Sequence, residues 1–191
     1  MQIISGVQKQ FLKTVIYGPE GIGKSTMASF FPNPIFIDIE DGTHALNIKR
    51  IQPPTSWVGL KQILNNIAKP EFNQYSTLVI DTADWAENLL KEQLCQENHV
   101  QTLGDVGYGK LYGDLATRWA RFLDLLSIIA RKMHVVLLAH SQMVRCEIPE
   151  ESGSFDRYEL KLNTSFKTNN SAKTKEWAGL VLFMNYKIML I

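Results

Sequence analysis

The sequence predicts an α/β domain built on a mostly parallel central sheet, and three observations predict it. Short β-branched runs alternate with longer amphipathic stretches along the chain. A glycine-rich turn separates the first such run from the first helix-capable stretch. Polar and acidic residues collect where the apolar runs end, which is where sheets of this class bind their ligands.

Taken in order, residues 14–17 read as a buried strand that breaks at Gly18-Pro19, and residues 24–31 as a helix-capable stretch. Between them Gly18-Pro19-Glu20-Gly21-Ile22-Gly23-Lys24-Ser25, followed by Thr26, has the spacing G-x-x-x-x-G-K-[ST] of a phosphate-binding loop. Glycine permits the positive φ that turns successive backbone N–H groups toward an anion. The helix start adds its positive end, Lys24 brings a point charge to the β- and γ-phosphates, and the Ser25 hydroxyl suits Mg²⁺. Residues 18–26 are therefore the expected nucleotide cradle.

Pro32-Asn33-Pro34 stops that helix, and residues 35–39 read as a second strand ending in Glu40-Asp41-Gly42. A carboxylate at that strand end can orient or deprotonate a water attacking a terminal phosphate; Glu40 is the candidate, with Asp41 a competitor. After the 53–57 linker, where Thr55 or Ser56 can cap, a helix is expected over 57–68. Residues 77–81 form a third strand that closes on Asp81, placed to hold Mg²⁺ opposite Ser25. A helix follows over 83–97, and Asp84 reads as its cap. The glycine-rich stretch 104–113 carries Tyr108, Lys110 and Tyr112 and reads as a loop. Residues 115–132 are the longest amphipathic helix, with Leu115, Trp119, Phe122, Leu123, Leu126 and Ile129 at core spacing. Residues 135–139 are a fourth buried strand, followed by His140 and Gln142, either of which can face a γ-phosphate. Residues 143–176 read as polar and irregular, and 180–184 as a fifth strand.

Composition narrows the function classes. The 191 residues, 45% hydrophobic and 20% charged, suit one domain over 1–191. A formal net charge of +1 leaves no global footprint for nucleic acid, so such binding rests on local groups. Two local groups qualify. The 143–176 stretch holds Arg157, Lys161, Lys167, Lys173 and Lys175 with Tyr158 and Phe166 among them, and the 104–113 loop mixes aromatic and basic residues. Both read equally as plain surface segments. Cys95 and Cys146 are isolated and read as reduced thiols. The first nine residues lack the apolar core of a signal peptide, and the 177–191 run is too short to span a bilayer. A cytoplasmic protein without a membrane partner is expected.

Residues 18–25, 35–42, 78–81 and 137–142 follow one another in the order found in RecA-like ATPases of the P-loop NTPase class. With 104–109 and 155–160 added, the chain resembles phage-encoded, AAA-family ATP-binding proteins of the RecA-core, single-strand-annealing recombinase type. The resemblance implies a three-layer α/β/α domain whose fourth predicted strand lies between the first and third, which would aim His140 and Gln142 at the γ-phosphate. It further implies ATP with Mg²⁺, Glu40 as the hydrolytic glutamate and contact of residues 143–166 with single-stranded DNA. A neighbouring copy would complete the site, with Lys187 a candidate for that contact. Two departures stand out. The chain ends in the apolar run 187–191, where similar proteins continue with further strands, so a C-terminally shortened copy is expected. Residues 163–176 are rich in Asn, Thr and Ser where a stronger helix is expected. A nucleotide-binding protein without turnover and a small-molecule P-loop kinase remain open, as does ATP against GTP.

Overall fold

The computed structural model describes residue 5 and residues 11–147, 154–165 and 168–187. Its strands are β1 (Lys13–Gly18), β2 (Pro34–Asp38), β3 (Lys49–Ile51), β4 (Thr77–Asp81), β5 (His134–Glu147), β6 (Ser154–Leu160) and β7 (Leu180–Phe183). Its helices are α1 (Lys24–Ser29), α2 (Trp57–Ile67), α3 (Ala83–Glu97), α4 (Lys110–Ile129) and α5 (Asn170–Trp177). The strands lie in the order β3-β2-β4-β5-β1-β7, all parallel, and β6 pairs antiparallel with the outer half of β5. The strand of residues 135–139 thus lies between the strands leading to the glycine-rich turn and to Asp81, as expected.

Alternation along each strand divides the apolar residues between two layers. Val15, Ile37, Ile80 and Leu137 face the larger layer, formed by α2 to α5. Ile16, Phe36, Val79, Val136 and Leu138 face the other side with Ala28 of α1. The three layers are therefore unequal. The register pairs Asp38 with Asp81, Asp81 with Leu138 and Gly18 with His140, so the carboxyl ends of β1, β2, β4 and β5 reach one edge together.

The structure corrects the sequence reading in several places. The described part of 143–176 holds regular elements where an irregular stretch is expected: β5 runs on to residue 147, and β6 and α5 follow. The polar residues of α5 are used inward. Asn169 caps it by accepting from the Ala172 N–H at 2.8 Å, and the buried Thr174 accepts from the Trp119 indole at 2.9 Å. Composition penalised this helix, whereas hydrogen bonds to neighbouring elements hold it. The 104–113 stretch is two 3₁₀ turns and the first residues of α4, so Lys110 and Tyr112 are helical. Strand β3 was not expected, because a three-residue run with two basic side chains carries no strand pattern. Phe166, Lys167 and residues 188–191 lie outside the described residues. Among those described, no helix is long and apolar enough to cross a membrane.

Trp119 tests the α4–α5 contact. It is fully buried and packs on Phe122 at 4.8 Å between ring centroids. Trp119→Phe should lower the unfolding free energy by about 2 kcal/mol, through lost volume and a lost hydrogen bond. The urea midpoint reads this, and an unchanged midpoint would refute it.

Candidate nucleotide-binding site

The turn after β1 has the backbone that its glycines allow. Gly21 and Gly23 sit at φ 70° and 95°, in the left-handed region. Gly18 is needed for another reason: a Cβ there would come within 2.3 Å of the Met184 carbonyl oxygen, just past β7. The Lys24 ammonium is folded over this turn, donating to the carbonyls of Gly18 and Pro19 at 3.2 and 2.8 Å. Helix α1 is only six residues long, so the turned amides and Lys24 carry most of the attraction for an anion.

A cavity of about 390 Å³ opens over this turn, between Thr26, the segment after β2, the end of β4 and His140. The Ser25 hydroxyl donates to Asp81 Oδ2 at 2.5 Å, so the two oxygen groups assigned to Mg²⁺ from sequence are adjacent. Burial pushes Asp81 up to about 6, against the pull of the Ser25 hydrogen bond. Burial likewise lowers the Lys24 ammonium, and Asp81, Asp84 and Glu40 raise it.

Glu40 is delivered by two devices. The N–H groups of Ile39 and Glu40 point at the Asp81 carbonyl, at 2.7 and 3.3 Å, which lays the chain across the end of β4. The fully buried Asp38 then closes the loop, accepting from the N–H groups of Gly42 and Thr43 at 3.2 and 2.9 Å and from the Thr43 hydroxyl at 2.5 Å. Glu40 lines the cavity, and burial raises its carboxyl above the ordinary glutamate range. Asp41, its competitor, is on the surface in an ion pair with His44 at 3.1 Å.

His140 reaches the cavity and Gln142 does not. The Gln142 amide donates to the carbonyls of Leu160 and Leu162 at 2.9 and 3.0 Å, in an adjoining cavity of about 480 Å³. Glu20, Glu40 and His140 border both spaces. His140 Nε2 lies 3.8 Å from Glu40 Oε2. Its Nδ1 is 2.8 Å from Asp84 Oδ2, and its backbone N–H donates to Asp84 Oδ1 at 3.0 Å. Asp84 is therefore not the cap of α3: Thr82 occupies that position, and Asp84 lies inside the first turn. Burial pushes the Asp84 carboxyl up, but the hydrogen bonds from His140 outweigh it and hold it below its ordinary value. The same bond raises the His140 imidazole, with burial opposing.

Three buried carboxylates near the site escaped sequence reasoning or were misread there: Asp38, Asp84 and Glu87. Glu87 is fully buried on α3 and accepts from the Asn163 N–H, the Asn170 amide at 2.7 Å and the Lys91 ammonium at 2.7 Å. The signal available was the spacing Asp81-x-x-Asp84-x-x-Glu87. Of the basic residues in 154–177, Arg157 and Lys175 pair with Glu159 at 2.8 and 2.5 Å.

A protein-family model described as an AAA domain matches residues 10–189. The chain belongs to this family. None of the curated proteins searched matches it. An AAA domain is a nucleotide-binding ATPase module, and here the glycine turn, Lys24 and the Ser25–Asp81 pair occupy one cavity. The donor set suits a Mg-bound nucleotide. Mg²⁺ takes few protein oxygens and completes its shell with phosphates and water, and Ser25 with Asp81 supplies that minimum. Glu20, Asp38, Glu40 and Asp81 also outnumber Lys24, the one Lys or Arg among the described residues lining the cavity of this AAA domain. A triphosphate is therefore favoured when its charge is partly neutralised by a cation.

Proposed function

We propose that this AAA domain is a RecA-like Mg-ATPase of phage origin that couples hydrolysis to single-stranded DNA during recombination or strand annealing. The observation that carries the reading is the course of β5. One continuous strand presents His140 to the nucleotide cavity and then runs on as the hairpin with β6, with Met143 and Tyr158 exposed on it. A change at the terminal phosphate therefore has a covalent route to an exposed surface bearing aromatic and basic side chains. The phage origin rests on the sequence resemblance alone.

In this reading the amides of residues 20–26 and the Lys24 ammonium hold the phosphates, and Ser25 with Asp81 would hold Mg²⁺. Bound Mg²⁺ supplies charge neutralisation at the β- and γ-phosphates. Glu40 accepts the proton of the attacking water, and its raised basicity suits that role at neutral pH. His140 faces the same end of the cavity and passes the loss of phosphate to the hairpin. A neighbouring copy completes the site, with the exposed Lys187 as the candidate contact. The kinase alternative gains no support, since Arg118 is held by Glu97 at 2.5 Å and Arg121 lines a separate cleft with Trp57 and Lys61.

The test is Mg-ATP binding and hydrolysis on one sample, with and without single-stranded DNA. Hydrolysis should rise several-fold with DNA, and the gain should fall from about 50 to about 200 mM salt. Binding without turnover in both conditions would instead identify a nucleotide-binding protein that does not hydrolyse.

A further inference from the structure

We propose that Asp84 is a positioning residue for the reacting end of the site: it fixes the His140 ring so that Nε2 faces Glu40. This rests on the ATPase reading above for its catalytic consequence, but not for the geometry. Asp84 spends both carboxylate oxygens on one residue. Oδ1 takes the main-chain N–H of His140 and Oδ2 takes the ring at Nδ1, so both the position and the rotation of the imidazole are set. With Nδ1 engaged as donor, Nε2 is the nitrogen left for the cavity, 3.8 Å from Glu40 Oε2. A histidine held from behind by a carboxylate presents a defined tautomer in front, as it does in metal and triad sites.

The support behind Asp84 is rigid. It stands in the first turn of α3, where the helix dipole favours a carboxylate. One turn later Glu87 ties the same helix to Asn163 and Asn170, beyond the end of β6. Lys161, between β6 and Asn163, donates its N–H to the His140 carbonyl at 2.8 Å. Three acids at a spacing of three thus divide the work: Asp81 for the cation, Asp84 for His140 and Glu87 for the following segment. A carboxylate that only stabilised the helix start would need neither contact with His140.

The charged groups acting on His140 are Asp84 from α3, Lys24 from α1 and Glu40 after β2; Glu20, Asp38 and Asp81 line one of its two cavities, and Glu20, Lys91 and Lys161 the other. Asp84 is the one hydrogen-bonded to the ring, so removing its charge disfavours the protonated imidazole. The experiment follows the four histidines, His44, His99, His134 and His140, by NMR titration of the folded protein, with His140 assigned by His140→Gln. Asp84→Asn should lower the His140 midpoint by about one unit. It should leave Mg-ATP affinity within about threefold and reduce kcat by roughly 10- to 100-fold. Asp84→Glu keeps the charge but moves the oxygens. It should hold the midpoint raised while kcat still falls, and it serves if Asp84→Asn does not fold.

An unmoved His140 midpoint in a folded Asp84→Asn protein overturns the assignment, as does a moved midpoint with unchanged kcat. If the wild type binds Mg-ATP without hydrolysing it, the ATPase reading fails by itself, and the histidine titration still decides whether Asp84 fixes the ring.

Discussion

Lys24→Ala should lose Mg-ATP binding by about 100-fold or more, the equivalent of about 3 kcal/mol. The size follows from the charge balance of the cavity. Lys24 is the only Lys or Arg among the described residues that line it, together with Glu20, Asp38, Glu40 and Asp81. Removing it leaves the phosphates to backbone amides inside an acidic wall. The ammonium is nearly buried and held at the Gly18 and Pro19 carbonyls, so it is positioned before any ligand arrives and little side-chain order is lost on binding. Its removal should spare the fold, because its hydrogen bonds go only to the carbonyls of Gly18, the last residue of β1, and of Pro19 just past it, and no strand pairing depends on its side chain. Calorimetry with Mg-ATP on the variant, alongside its circular dichroism, reads both statements. Affinity within threefold of the wild type would remove Lys24 from the site.

The glycine turn was legible because its chemistry is local. The residues that turn the backbone, bring the charge and supply the hydroxyl are consecutive, and their spacing alone places them together. Asp81 was legible for a related reason, since a carboxylate closing an apolar strand has one place to go in a parallel sheet. Asp84 was not. In sequence it is a polar residue near a helix start, and capping is the ordinary reading. Its partner His140 is 56 residues away, and only the adjacency of β4 and β5 brings them together. Helix α5 was hidden by a similar gap. Asn170, Ser171 and Thr174 lower helix propensity, but Glu87, Glu159 and Trp119 give them partners that composition cannot anticipate. Gln142 fails for a geometric reason. Side chains two apart on a strand share a face, yet β6 joins β5 just there, and the carbonyls of Leu160 at its end and Leu162 just past it take the amide.

Glu40→Gln should bind Mg-ATP within a few-fold of the wild type yet hydrolyse it about 10²- to 10⁴-fold more slowly, the usual contribution of a positioned general base. Gln keeps the shape and loses the basic lone pair, and the loop stays in place because Asp38, not Glu40, closes it. Asp41→Asn should leave the rate unchanged, as Asp41 stands outside the cavity in its pair with His44. The pH profile sharpens the distinction. The base works only when ionised, so the rate should rise as pH passes the Glu40 pKa. Burial has moved that pKa upward, so this limb should lie above the range of an exposed glutamate. In Glu40→Gln that limb should vanish from the residual rate. A variant that hydrolyses normally with the acid limb intact would mean that another group takes the proton, and His140, 3.8 Å away, would be the next to replace.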